Sequence, residues 1–126
     1  MQSVIIDTDI AIDYLRGIKQ AHDLILPLWK TNTAHLSILS VYELYAGMRE
    51  SEKEATENFI TACSIEPVTI GIAEKGGELY RLYRKQGITL TSNDCLIQAT
   101  AIINRHKVAT KNKGHYPDKT IILEFG

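Results

Sequence analysis

Two cysteines, Cys63 and Cys95, are all that the 126 residues offer. They stand far apart and match no zinc-binding spacing, so they are expected to be buried, reduced thiols rather than a disulfide. Long apolar runs are missing as well. No stretch approaches the roughly 20 residues of a membrane span. Met1-Gln2-Ser3 leads into a short apolar run with neither a basic n-region nor a long h-region, so no secretory leader is expected. Charge of one sign is also absent: 14 Lys and Arg stand against 15 Asp and Glu, a formal net charge of −1. Bulk attraction to nucleic acid is therefore not implied, and any such contact must come from a local patch. There is no internal repeat, low-complexity tract or linker. These absences leave a cytoplasmic, soluble chain forming one domain over residues 1–126. At that length it can bury roughly two-thirds of its unfolded surface without staples.

What is present is an alternation of short apolar runs and longer amphipathic ones. Residues 3–6, 34–37, 65–68, 107–110 and 120–123 read as strands, the first, fourth and fifth rich in Val and Ile. Such runs suit strands buried on both faces of a parallel sheet. Helices are expected over 10–15 (ended by Gly17), 22–30, 41–49, 54–63, 72–86 (followed by Gly87) and 93–104. The fifth carries an apolar stripe at Ile72, Gly76, Leu79 and Tyr83, and its Gly76-Gly77 pair implies close packing or a kink. The sixth is apolar nearly all round and is expected to lie deep. Ile25, Leu28 and Trp29 of the second read as core rather than as a partner-binding surface. Strands alternating with helices predict an α/β sandwich around a parallel sheet.

Three acids stand at related places in this alternation. Asp7 directly follows the Val4-Ile5-Ile6 run, where an ionised group needs a partner or a metal. Asp9 or Thr8 is the expected N-cap of the first helix. Glu43 closes an S-x-x-E capping box with Ser40, yet its apolar flanks place it at the buried edge of its helix. Asp94 follows Thr91-Ser92, either of which can cap the sixth helix, and the helix dipole favours an acid in that first turn. Taken singly, each acid is explained at least as well by capping. Together they recur at one end of the sheet, the usual place for ligands in open α/β folds. Like charges about 4 Å apart repel by about 4 kcal/mol at an effective dielectric of 20, and a hard divalent cation removes that cost. With no His or Cys beside these acids in sequence, oxygen ligation points to Mg²⁺ or Mn²⁺. The strand 107–110 then runs into Lys111-Asn112-Lys113-Gly114-His115, a polar loop at the same sheet edge.

At this point the pattern resembles PIN-domain ribonucleases. Ile5-Ile6-Asp7-Thr8-Asp9 with Ile12-Asp13-Tyr14-Leu15-Arg16-Gly17 is similar to their opening block. Leu36 to Gly47 resembles the second, Asn93 to Ala101 the third and Val108 to Tyr116 the fourth. The length and the Glu43-Leu44-x-x-Gly47 block look most like the VapC toxins of toxin–antitoxin pairs. The resemblance implies a three-layer α/β/α sandwich with a five-stranded, mainly parallel sheet. It also implies Mg²⁺- or Mn²⁺-dependent endoribonuclease activity, homodimerisation and inhibition by a small antitoxin. It gives Asp7, Glu43 and Asp94 as the acidic metal site. Asn112 stands where the family often has a fourth acid, which is consistent with either one or two metal ions. Ser92-Asn93 replace the usual Pro before the third acid.

As a mechanism, Asp7, Asp94 and Glu43 hold the metal, and the metal activates a water and polarises the phosphate. Thr110 and Asn112 position water. Lys111, Lys113, His115 and Arg16 are candidates for RNA phosphates. Other classes compete less well. Asp7-Thr8-Asp9-Ile10-Ala11 nearly matches an aspartate-nucleophile phosphatase opening, but Ala11 breaks it. A receiver-like domain needs a mid-chain phosphoacceptor, where Glu66-Pro67-Val68 stand instead. A non-catalytic PIN-like domain that binds RNA or protein is the alternative that Asn112 favours.

Overall fold

The computed structural model describes residues 2–125. In chain order the elements are β1 (Val4–Ile6), α1 (Thr8–Leu15), α2 (Lys19–Lys30), β2 (Ala34–Ser37), α3 (Ile38–Gly47), α4 (Lys53–Ala62), β3 (Ser64–Glu66), α5 (Ile70–Lys85), α6 (Ser92–Asn104) and β4 (Lys107–Ala109). The sheet order is β3-β2-β1-β4 and every pairing is parallel. Val4 lies opposite both Ala34 and Lys107, which makes β1 a central strand. Its three residues are buried on both faces, as the unbroken apolar run predicts.

Alternate residues of the strands feed two layers. Ile6, Ala34 and Leu36 pack with Ile10, Ala11, Ile25, Leu44 and Phe59 of α1 to α4. Ile5 and Val108 face the other way, onto Ile97 and Ala101 of α6 and onto Tyr116. Helix α5 lies against α6 through Ile72, Leu79 and Tyr83. The buried residues of α5 are the expected stripe, Ile72, Gly76, Leu79 and Tyr83. Gly17 and Gly87 take φ +78° and +77° just beyond α1 and α5, the left-handed conformation that ends helices most cheaply at glycine. Both cysteines are free and buried. Ile25 is wholly buried, and Leu28 and Trp29 pack partly buried against the same core. Among the described residues no helix is long and apolar enough to cross a membrane.

Three expectations need correction. Only four strands form among the described residues; where a fifth was expected, Lys119–Ile121 is a turn of 3₁₀ helix and Ile122 alone bridges to Val108. Asp118 causes this by accepting from the Thr120 backbone N–H, which turns the chain out of the sheet direction. The Ser40–Glu43 capping box does not exist, because β2 passes straight into α3 and Ser37, the last strand residue, is the cap, its hydroxyl accepting from the Leu39 N–H. Likewise neither Thr8 nor Asp9 caps α1. With no loop after β1, the cap falls on Asp7.

Candidate functional site

Asp7 sits where strand becomes helix. Its N–H still continues the sheet by donating to the Ala109 carbonyl, while its own carbonyl already accepts from Ile10 and Ala11. Its carboxylate is consequently fixed at the C-terminal edge of the sheet, with little freedom. Oδ1 accepts from the Thr8 N–H at 2.8 Å. Oδ2 accepts from the Thr110 hydroxyl at 2.8 Å and from the Tyr116 hydroxyl at 3.0 Å. Even with these donors, burial raises the Asp7 pKa above the usual carboxylate value, and the neighbouring Asp9 charge adds to the rise. The hydrogen bonds from Thr110, Thr8 and Tyr116 pull the other way. Burial, with the Asp7 charge beside it, keeps the Tyr116 phenol protonated far above its ordinary range.

The other acids arrive from separate elements. Glu43 projects from the middle of α3 and accepts from the Thr8 hydroxyl at 3.1 Å; that hydroxyl also lies 2.9 Å from buried Ser40. Asp94 occupies the first turn of α6 in a reciprocal capping box with Thr91, so capping and site geometry coincide here. Asp9 accepts from the Ile10 and Lys111 backbone N–H groups at 2.8 Å each, tying the loop after β4 to α1. All four line one cavity of 630 Å³, together with Asn112 and His115. No Lys or Arg lines that cavity. His115 Nδ1 lies 3.5 Å from Asp94 Oδ1, so an imidazole does stand beside the acids, contrary to the sequence expectation. The loop after β4 brings it there.

The remaining candidates separate. Thr110 is wholly buried and both donates to Asp7 and accepts from the Asn112 N–H. The Lys111 ammonium pairs with Asp13 at 2.7 Å and that of Lys113 with Glu124 at 3.1 Å; neither lines the acidic cavity. Arg16 lines an adjoining groove of 410 Å³, with Arg49 and Met48, which shares Ile12 and Glu43 with the acidic cavity. The sequence gives no site role to Tyr116, and suggests Thr8 and Ser40 only as helix caps, not as the groups that hold Glu43. Tyr116 sits in a polar tail with no local signal, and its partner is 109 residues away.

Oxygen donors converging without a lysine or arginine are suited to a hard divalent cation. A carboxylate raised in pKa by burial and by a neighbouring acid, and lining a cleft, marks a candidate functional site. Among the described residues, the only three His, Cys, Asp or Glu side chains with ligand atoms all within 4.8 Å of one another are His35, Glu66 and His106, outside this cavity. Asp7, Glu43 and Asp94 do not form so tight a cluster.

Comparison with known proteins agrees with this architecture. A family model described as "PIN domain" matches residues 4–117. "Ribonuclease VapC19" of Mycobacterium tuberculosis is 41% identical over 114 residues, covering 90% of this chain and 91% of its own. "Ribonuclease VapC10" of the same organism is 32% identical over 114 residues, covering 90% and 86%. Among solved structures, a toxin–antitoxin complex from Klebsiella pneumoniae superposes with a TM-score of 0.81 at 23% identity, covering 97% of each chain.

Proposed function

The chain belongs to the PIN-domain family, and from that premise we propose that it is a metal-dependent endoribonuclease, the toxin of a type II toxin–antitoxin pair. The observation that carries this reading is the Asp7 carboxylate. It is buried, raised in pKa and aimed with Glu43 and Asp94 into a cavity that no lysine or arginine lines. Relatives named ribonucleases, one of them 41% identical, support the RNA substrate. The family match over 4–117 supports reading 1–126 as one PIN-like domain.

Asp7, Glu43 and Asp94 are the residues that would hold Mg²⁺ or Mn²⁺. When bound, such an ion lowers the pKa of a water and offsets charge on the scissile phosphate. Asp7 is held rigid for this task by three donors on two different segments and its own helix. Thr8 orients Glu43, and the Thr91 cap orients Asp94. Thr110 fixes Asp7 directly and Asn112 through its backbone, and the Asn112 amide is placed to orient water by hydrogen bonding. His115, at the cavity wall, is a donor for a phosphate oxygen. Lys113 is held in an exposed ion pair with Glu124 worth at most about 1 kcal/mol, so an RNA phosphate can recruit it readily, whereas Lys111 must first leave a largely buried Asp13. Arg16 stands in the adjoining groove, suited to flanking RNA. Cytoplasmic residence, homodimerisation and inhibition by a small antitoxin encoded beside this chain belong to the same reading. The similarity to a toxin–antitoxin complex supports the fold on which that reading depends.

The test is RNA cleavage with and without Mg²⁺ or Mn²⁺, with Asp7→Asn and Asp94→Asn as controls free of host ribonucleases. Metal-dependent cleavage lost in both variants, with circular dichroism unchanged, supports the assignment. Full cleavage by both variants overturns it. Metal-independent RNA binding without cleavage favours the non-catalytic PIN-like module instead.

A further inference from the structure

A second cluster of metal-binding groups lies outside the acidic cavity. His35 comes from β2, Glu66 ends β3 and His106 stands immediately before β4. Their ligand atoms all fall within 4.8 Å of one another. Glu66 Oε1 is 2.6 Å from His106 Nε2 and 2.9 Å from His35 Nδ1. The two contacts are not equivalent. His106 makes a hydrogen bond, whereas His35 Nδ1 is buried and close but misdirected, and has no hydrogen-bond partner. A buried imidazole nitrogen without a well-directed hydrogen bond is uncommon, and the Glu66 carboxylate 2.9 Å away offsets only part of its desolvation.

The groups behind the cluster are those a metal site uses. Ser3 Oγ lies 2.6 Å from His106 Nδ1, the ring nitrogen facing away from the cluster. The Asn104 amide donates to Glu66 Oε2 at 3.0 Å, leaving Oε1 for the cluster. A hydrogen bond to the far nitrogen of a ligating histidine and another to the ligating carboxylate fix orientation and tautomer. The two imidazole rings are 4.2 Å apart, centroid to centroid. Four-coordinate zinc with bonds near 2.1 Å needs ligand atoms about 3.4 Å apart; the two Glu66 contacts, at 2.6 and 2.9 Å, lie just inside that spread.

We propose that His35, Glu66 and His106 form a Zn²⁺ site, distinct from the acidic cavity, that clamps the edge strand β3 to β2 and to the segment entering β4. Two imidazoles and one carboxylate are a donor set that zinc favours over Mg²⁺. No residue is shared with the acidic cavity. Asp94 and Asn104 lie near opposite ends of α6, about 15 Å apart along its axis. The clamp has a structural use. Strand β3 is a three-residue edge strand whose first two residues are exposed, and it contributes little core. Tying Glu66 to β2 and to the segment entering β4 secures an element that packing secures poorly.

The experiment uses the chain without a histidine tag, in an Asp7→Asn/Asp94→Asn background that removes two of the four carboxylates lining the acidic cavity. Zn²⁺ alone is titrated by calorimetry, and Co²⁺ is used as a spectroscopic probe of four-coordinate geometry. One equivalent of Zn²⁺, a rise in melting temperature and a visible Co²⁺ d–d band are expected. Outer-shell partners commonly cost 10- to 100-fold in affinity, so Ser3→Ala should weaken binding about tenfold and His35→Gln or Glu66→Gln by more than about a hundredfold. His35 is partly exposed and Glu66 more so than His106, so these variants keep the test open should His106→Gln fail to fold. In the otherwise native chain, His35→Gln should leave Mg²⁺-dependent RNA cleavage unchanged. Failure of the double-variant background to take up Zn²⁺ overturns the proposal. So does Zn²⁺ affinity that His35→Gln and Glu66→Gln leave unchanged.

Discussion

The hydroxyl of Tyr116 reaches Asp7 Oδ2 at 3.0 Å from the far end of the chain. Tyr116 is wholly buried, and its phenol stays protonated, so in this contact it donates. A buried carboxylate whose ionisation is disfavoured is thereby given a fixed partner that does not itself line the cavity. Thr110 shares the same oxygen. The pair holds Oδ2 in place while the Asp7 carboxylate lines the cavity.

Tyr116→Phe tests that role. Removing a hydrogen bond to a charged group costs about 1.5–3 kcal/mol, so thermal stability should fall. An outer-shell partner of a metal ligand commonly contributes 10- to 100-fold in affinity. The Mg²⁺ concentration that half-saturates RNA cleavage should therefore rise at least about tenfold. A stability loss with no change in Mg²⁺ requirement would mean that Tyr116 is only a packing residue.

Asp7→Asn should separate stability from activity. A carboxyl raised above its unfolded value binds protons more tightly in the folded chain. Its contribution is fully present below the unfolded value, about 4, and is lost as pH rises through the folded one. At neutral pH the metal-free chain therefore carries an unfavourable Asp7. Asn is as good an N-cap as Asp, so the variant keeps the cap and removes the charge. Melting curves of metal-free protein should show the variant gaining on the parent as pH rises from about 4 to about 7. Mg²⁺ should stabilise the parent and not the variant. A difference independent of pH would contradict the burial argument.

The parts of the molecule legible in the sequence were those encoded by neighbours. The Val4-Ile5-Ile6 run gave a strand buried on both faces, and the Ile72, Gly76, Leu79, Tyr83 stripe gave the buried face of α5. Both depend on periodicity within one element. Asp7, Glu43 and Asp94 do line one cavity, with Asp7 and Asp94 at helix starts and Glu43 in mid-helix, because α3 begins three residues earlier than the apolar pattern implied. The capping details around them were misread wherever a strand passes into a helix without a loop. Ser37 and Asp7 then serve as strand end and cap at once, a double role that spacing rules do not register. The contacts of Tyr116, and the meeting of His35, Glu66 and His106, depend on sheet order and were invisible for that reason. The fifth strand failed on one residue, since Asp118 supplies a local bond that competes with the ladder.

The glycines of α5 should respond differently to alanine. A Cβ at Gly77 would meet nothing nearer than Arg81 Nη1 at 3.8 Å. Gly77→Ala should therefore gain the helix-propensity difference, about 1 kcal/mol. A Cβ at Gly76 would stand 2.9 Å from Leu96 Cδ2 and 3.6 Å from its Cα. Leu96 lies in α6, two residues after Asp94, so Gly76→Ala must displace Leu96 at the α5–α6 contact and forfeit that gain. Denaturant unfolding of the two variants should place Gly77→Ala above the parent and Gly76→Ala below Gly77→Ala. Equal gains would show that the helices can move apart freely.

Glu43→Gln distinguishes a site residue from a cap. Glu43 is the sixth residue of α3, beyond the first turn where capping and dipole effects act. A true capping-box acid would cost about 1 kcal/mol on replacement. Gln instead retains the oxygen that accepts from Thr8, so stability should change by less than about 0.5 kcal/mol. The lost charge lines the cavity, so under the proposed metal-site role RNA cleavage should fall by at least about tenfold. Raised Mn²⁺ should recover part of that activity, because a weakened site is filled by mass action. A variant that melts early yet cleaves RNA at the parent's rate would return Glu43 to a purely structural role.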